Sequence, residues 1–136
     1  MKLGLTTLYK TVEEKNKLKS LLIKDGFEVL DFSPKLAEGE TADYSDTVKD
    51  LAEATVKGEI TFAIAICKSG FGMSIMLNRF DKVLAIVARN DGDATMGRKG
   101  INANAITFGT LTTSPEEMID IIKVFINTDF DDINIS

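Results

Sequence analysis

Apolar positions along the chain change their spacing repeatedly, and each change marks a new element. Leu3 to Thr7 alternates weakly and ends in Thr6-Thr7, as a first strand would. Leu18, Leu21 and Leu22 then recur at helical spacing as far as Lys24. Thr11 and Glu14 stand at capping-box spacing ahead of them, and Asp25-Gly26 stops the helix. Phe27-Glu28-Val29-Leu30-Asp31-Phe32 reads as a second strand. The polar stretch from Pro34 to Thr41 is the longest loop, expected to be mobile or substrate-facing. Asp43 or Ser45 caps a second helix whose inner face is Val48, Leu51, Ala52 and Thr55, ending at Lys57-Gly58. Ile60 to Ile66 is a short apolar run suited to a buried third strand, and Met73 to Arg79 reads as a helix. Val83 to Ala88 is apolar throughout, which predicts a central fourth strand. Asp91 to Lys99 forms a short helix weakened by Gly92 and Gly97, and Asn104 to Gly109 a fifth strand. Ser114-Pro115-Glu116-Glu117 starts a last helix with Met118, Ile121, Ile122 and Phe125 inside. From Asp129 onward the chain is acidic and expected to fray.

Strands alternate with helices throughout, so the fold class expected is α/β. We expect one domain over 1–136, a three-layer α/β/α sandwich with a five-stranded parallel, Rossmann-like sheet. In open α/β sheets ligands sit beyond the carboxyl ends of the strands. Five loops meet that description, those after Thr7, Phe32, Cys67, Ala88 and Gly109.

Composition narrows what those loops can do. The 136 residues are 44% hydrophobic and 27% charged, enough for a core of ordinary size. A net charge of −5 with scattered lysines argues against nucleic acid. No stretch is long and apolar enough to suggest a membrane partner. One cysteine makes no internal disulfide, and no apolar leader precedes the first strand; a reducing, cytoplasmic location is expected. Histidine is absent. That removes histidine-type metal sites and Ser-His-Asp or Cys-His catalysis.

The stretch Cys67-Lys68-Ser69-Gly70-Phe71-Gly72 carries the remaining chemistry. It joins a buried strand to a helix, where backbone N–H groups and the helix dipole face an anion. Those amides, and Lys68 beside them, favour the thiolate of Cys67. Gly70 and Gly72 let the backbone approach an oxyanion, and the Ser69 hydroxyl can give or take a proton. The residues suit a thiolate base or nucleophile facing an oxyanion hole. They equally suit a tight turn that binds nothing, since Gly-x-Gly alone has little specificity.

Ile66-Cys67-Lys68-Ser69-Gly70-Phe71-Gly72-Met73-Ser74-Ile75, with Asn78-Arg79 after it, resembles the I-C-G-T-G-x-G-x-S-I…N-K signature of a sugar-phosphate isomerase family. That family contains ribose-5-phosphate isomerase B and galactose-6-phosphate isomerase. Asp43-Tyr44-Ser45-Asp46 looks like its D-Y-P-x stretch, followed by a similar A-E-A helix at Ala52-Glu53-Ala54. The run from Asn102 to Gly109 looks like its N-A-N-V-L-x-x-G strand, and Phe125 and Phe130 close the chain at family-like spacing. The resemblance implies interconversion of aldose and ketose phosphates through a cis-enediolate, without metal or cofactor, at a site between two subunits. It implies Cys67 as the base and Ser69 as the group moving a proton on oxygen. Gly70, Phe71 and Gly72 would hold the enediolate, with Asp43, Tyr44, Asn78 and Asn104 also at the substrate.

The departures from that pattern lie among its acids, bases and cations. Leu8-Tyr9 stands where the family has Asp-His, and Gly100-Ile101 where it has the ring-opening His and its Asn neighbour. Lys68 replaces a glycine, Leu111 an arginine, and the C-terminal His/Arg cluster has no counterpart. The alternative glutamate base of a second subgroup would fall at Met73. Two readings follow. The chain is one subunit of a homodimer or hetero-oligomer acting on a phosphorylated sugar, with a family homologue supplying the missing groups. Alternatively it is a non-catalytic relative that binds or assembles. Lys10, Lys68 and Arg89 lie at expected strand ends and could form a different anion site.

Overall fold

In a computed structural model, residues 1–131 are described. Five strands and five α-helices alternate along the chain. They are β1 (Lys2–Thr7), α1 (Val12–Lys24), β2 (Glu28–Asp31), α2 (Tyr44–Lys57), β3 (Phe62–Cys67), α3 (Phe71–Leu77), β4 (Ala85–Val87), α4 (Asp91–Ile101), β5 (Ala105–Gly109) and α5 (Pro115–Ile126). All four strand pairings are parallel, in the order β2-β1-β3-β5-β4. One face of the sheet buries Leu18 and Leu22 of α1, Ala94 of α4 and Met118, Ile122 and Phe125 of α5. The other buries Val48, Leu51 and Ala52 of α2 and Met73 and Leu77 of α3. β3 sits between these layers with every residue buried, as its unbroken apolar run requires. The expected α/β sandwich is therefore observed.

Local chemistry sets most boundaries as expected. Asp43 caps α2 by accepting from the Asp46 N–H at 2.8 Å, and Gly58 ends it in the left-handed conformation. Ser114 and Glu117 form a reciprocal capping box at α5, with Pro115 behind it. Thr11 behaves differently. A short 3-10 turn, Tyr9–Thr11, precedes α1, and the Thr11 side chain caps nothing. Its hydroxyl instead lies 2.7 Å from that of Thr7, a buried contact at the carboxyl end of β1.

β4 corrects the expectation of a central strand: it is short, lies at the sheet edge and pairs only with β5. Its apolarity has another cause. Ile86 packs into the space left by Gly97 of α4, where a Cβ would lie 2.6 Å from Ile86 Cδ1. α3 packs against β4 as well. Coverage by these helices requires apolar residues here, whatever the strand's rank in the sheet.

At the other edge, β2 is tied to α1 by charge. Lys15 Nζ lies 2.7 Å and Lys19 Nζ 3.3 Å from Asp31 Oδ2, and the Lys15 side chain is almost fully buried. Burial alone would raise the Asp31 pKa; hydrogen bonds from Lys15 and Ser33 and the Lys15 charge overrule it and hold it at about 2. The folded value is depressed, so this contribution is complete above the unfolded pKa of 3.8 and is lost as pH falls through about 2. Solvent access at this site reduces it to on the order of 1 kcal/mol. Asp31→Asn is expected to lower urea stability at neutral pH by about that amount. The parent and variant curves should converge below pH 3; a constant gap down to pH 2 would show that the ion pair contributes nothing.

Candidate active site

The strand order reverses between β1 and β3, and open parallel sheets bind ligands beyond the carboxyl ends at such a point. Cys67 is the last residue of β3, paired with Gly109 at the end of β5. Beyond it the chain folds across β5 so closely that side chains are excluded. A Cβ on Gly109 would lie 2.5 Å from the Ser69 carbonyl carbon and 2.7 Å from the Lys68 oxygen. Three hydrogen bonds fix the loop there. The Thr110 N–H donates to the Cys67 carbonyl at 2.9 Å and the Leu111 N–H to that of Lys68 at 3.0 Å. The Thr107 hydroxyl donates to the Gly70 carbonyl at 2.8 Å.

Within the loop, Gly70 takes φ +85° and serves as the N-cap of α3. Its N–H donates to Cys67 Sγ at 3.1 Å, and the Phe71 N–H donates to Ser69 Oγ at 3.1 Å. Two of the three amides expected to meet a ligand are thus engaged inside the loop. Those of Gly72 and Met73 have no partner among the described residues, as first-turn donors normally lack one. α3 is only seven residues long and starts two residues earlier than expected.

Tyr44, the first residue of α2, lies over this turn. Any side chain at Gly72 would run into its ring. Desolvation first, then interaction with Cys67 and the charge of Tyr9, push the Tyr44 phenol above its ordinary pKa. Cys67 is completely buried, whereas 37% of Tyr44 is exposed. Beside the loop, the ends of β1 and β2 and the start of α2 enclose a cleft of about 330 Å³. Thr7, Tyr9, Ser33, Leu36, Glu40 and Thr47 line it. The polar loop expected to face substrate does supply one wall.

The structure therefore brings Cys67, Ser69, Gly70, Phe71, Gly72 and Tyr44 together. Asp43 adjoins them, though one of its carboxylate oxygens is committed to capping α2. The Asn78 and Asn104 amides are engaged in the framework instead. Asn78 exchanges two hydrogen bonds with the backbone of Ala85, at 2.7 and 2.9 Å. Asn104 precedes β5, at the opposite end of the sheet from Cys67, and binds Leu84 N–H and the Lys82 carbonyl. Both side chains therefore hold β4 and the turn leading into it. Thr47 escaped the sequence reading, and Tyr9 entered it only as a departure, at the place where the resembled family has its Asp-His pair.

Cations surround the site. Arg89 lies over the Phe71 ring, 5.3 Å from its centroid, and Lys10 lies 5.6 Å from that of Tyr9. Neither these two nor Lys68 forms an ion pair among the described residues. No group of acids and Cys67 among those residues could hold a metal, and no helix there is long and apolar enough to cross a membrane.

Comparison with known proteins shows the family and the fold. Residues 9–134 match the family model described as Ribose/Galactose Isomerase. The D-erythrulose-4-phosphate isomerase of Pectobacterium atrosepticum is 29% identical over 120 residues, 88% of this chain and 78% of that protein. The galactose-6-phosphate isomerase subunit LacA of Lactococcus lactis subsp. lactis is 28% identical over 117 residues, 86% of this chain and 79% of that protein. A solved ribose 5-phosphate isomerase of Thermotoga maritima has a TM-score of 0.88 at 29% identity, covering 96% of this chain and 89% of its own.

Proposed function

The chain belongs to the ribose/galactose isomerase family, and from that premise we propose that it interconverts an aldose phosphate and its ketose through a cis-enediolate, with Cys67 as base. The observation that carries this is the placement of Cys67 Sγ at the reversal point of the sheet, 3.1 Å from the Gly70 N–H. As a base, Cys67 would act in its thiolate form. That thiolate would take the proton from the carbon beside the carbonyl and return it to the neighbouring carbon. The Ser69 hydroxyl would move the proton between the two oxygens, while the Gly72 and Met73 amides face the developing negative charge. Lys10, Lys68 and Arg89 are the cations this chain offers to the phosphate.

What the chain does not offer is a histidine to open the sugar ring. We therefore assign it as one subunit of an oligomer in which a second family chain reaches across the interface, as the subunit designation of the Lactococcus relative suggests. The full burial of Cys67 favours a second reading, a non-catalytic relative that keeps the fold for binding or assembly.

A mixing assay separates them. Alone, the protein is expected to turn over ribose 5-phosphate and galactose 6-phosphate weakly. A histidine-bearing family homologue, itself made inactive at its own base, should restore turnover when added. If no homologue restores activity and calorimetry detects no phosphosugar binding, the non-catalytic reading stands.

A further inference from the structure

Thr107 places a hydroxyl where the packing asks for a methyl group. It stands on the face of β5 that Ala105 shares, beside Ala65 of β3 and against α3, and it is fully buried. Valine would fill the same space, and a buried hydroxyl costs stability unless it is hydrogen-bonded. Its one proton goes to the Gly70 carbonyl at 2.8 Å, 37 positions earlier; the Ile86 carbonyl lies farther off, at 3.4 Å. The Gly70 carbonyl belongs to the same trans peptide as the Phe71 N–H, and the two point in opposite directions. Anchoring the carbonyl on β5 therefore aims the N–H away from the sheet, where it donates to Ser69 Oγ at 3.1 Å. A serine oxygen that accepts there turns its own proton elsewhere. α3 alone fixes this peptide poorly, since it has seven residues and its Ser74 N–H reaches the same carbonyl at 3.2 Å.

We propose that Thr107 is a positioning residue for Ser69, acting through the Gly70–Phe71 peptide to hold the Ser69 hydroxyl with its proton free for a substrate oxygen. This deepens the isomerase reading and rests on Ser69 being the group that moves the proton between the two oxygens. The chain of bonds runs from the sheet to the site: Thr107 O–H to Gly70 C=O, then Phe71 N–H to Ser69 Oγ. Donation to the carbonyl polarises the peptide and strengthens its N–H as a donor. The Thr110 and Leu111 amides hold the loop to β5 separately, through the Cys67 and Lys68 carbonyls. Thr107 gives direction to a loop that those bonds already hold.

Thr107→Val keeps the shape of the side chain and removes the donor; Thr107→Ser keeps the donor. Amide exchange with water, read by NMR on the chain alone, should be severalfold faster at Phe71 in Thr107→Val and parental in Thr107→Ser. Thr110 and Leu111 should exchange as in the parent. Equal acceleration of all three amides would show that Thr107 only holds the loop down, and an unchanged Phe71 would break the chain of bonds; either result overturns the proposal. In the mixing assay Thr107→Val should lower kcat roughly tenfold with KM within about twofold, less than the roughly 10²–10⁴ of a lost acid–base group because the hydroxyl is misaimed and not absent. It should cost nothing further in a Ser69→Ala background, and the same loss in both backgrounds would also overturn the proposal. Ser69→Ala, at a half-exposed position, stands in if Thr107→Val proves unstable. It too must speed exchange at Phe71, and a parental rate there would refute the link. The expected exchange pattern in a protein that no homologue activates would retain Thr107 as the residue that aims Ser69 and remove the isomerase reading.

Discussion

Cys67→Ala is expected to abolish the turnover restored in the mixing assay, by roughly 10²–10⁴, the usual contribution of a general base. No nearby group can replace it. The chain has no histidine, and the resemblance puts Met73 at the position of the second subgroup's glutamate base. Loss of the thiol should leave the fold nearly intact. The sulfur is buried in a cluster of small and apolar residues, and its removal leaves a cavity about the size of a methyl group. The expected cost is about 1 kcal/mol, a few degrees in Tm. Turnover and thermal unfolding measured on the same preparation separate the two effects. Parental activity in a folded Cys67→Ala protein would mean that the thiol is not the base.

Gly109→Ala is expected to be the most damaging single methyl that can be added near the site. The new Cβ would lie 2.5–2.7 Å from three backbone atoms of Lys68 and Ser69. Those atoms cannot rotate away. They belong to a loop pinned by Thr110, Leu111 and Thr107, so relief requires lifting the loop after β3 off β5. The cost should reach about 3 kcal/mol, the upper end of overpacking penalties, and lower Tm by roughly 10 °C. Gly100→Ala is the matched control. It lies within α4 with no atom near its Cβ position, and should be neutral or stabilise the helix by up to about 1 kcal/mol. Calorimetric unfolding of the two variants side by side checks this. Equal Tm values would show that the crossing of the loop over β5 is looser than these distances.

Both predictions turn on a loop that was legible in the sequence, because its signal is local. A buried run, a cysteine, two glycines and a helical stripe follow one another within a few positions, and so do the strands, helices and caps around them. What was not legible depends on contacts between distant positions. Nothing in Asp43-Tyr44-Ser45 announces that the tyrosine lies on Gly72, since the glycine's missing side chain leaves no periodic trace. β4 looked central because full apolarity reports cover on both faces, and α3 and α4 supply that cover at an edge as well. Asn78 and Asn104 resemble family positions next to reactive ones, yet an amide suits a backbone pair as well as a sugar hydroxyl. Only the placement of Ala85 and Leu84 decides which partner each amide takes.

The double hydrogen bond of Asn78 with Ala85 has a consequence for how this protein meets others. An edge strand normally offers its free N–H and C=O groups as a template on which another chain can add and from which aggregates grow. Here one amide side chain takes the place of the strand that would come next. It gives the N–H an acceptor and the carbonyl a donor at the first residue of β4. The opposite edge, β2, carries Glu28 and Asp31, charges that discourage a neighbouring strand. With both borders of the sheet guarded, strand addition at either edge is disfavoured, and the helices and loops are the surfaces left for another chain to meet.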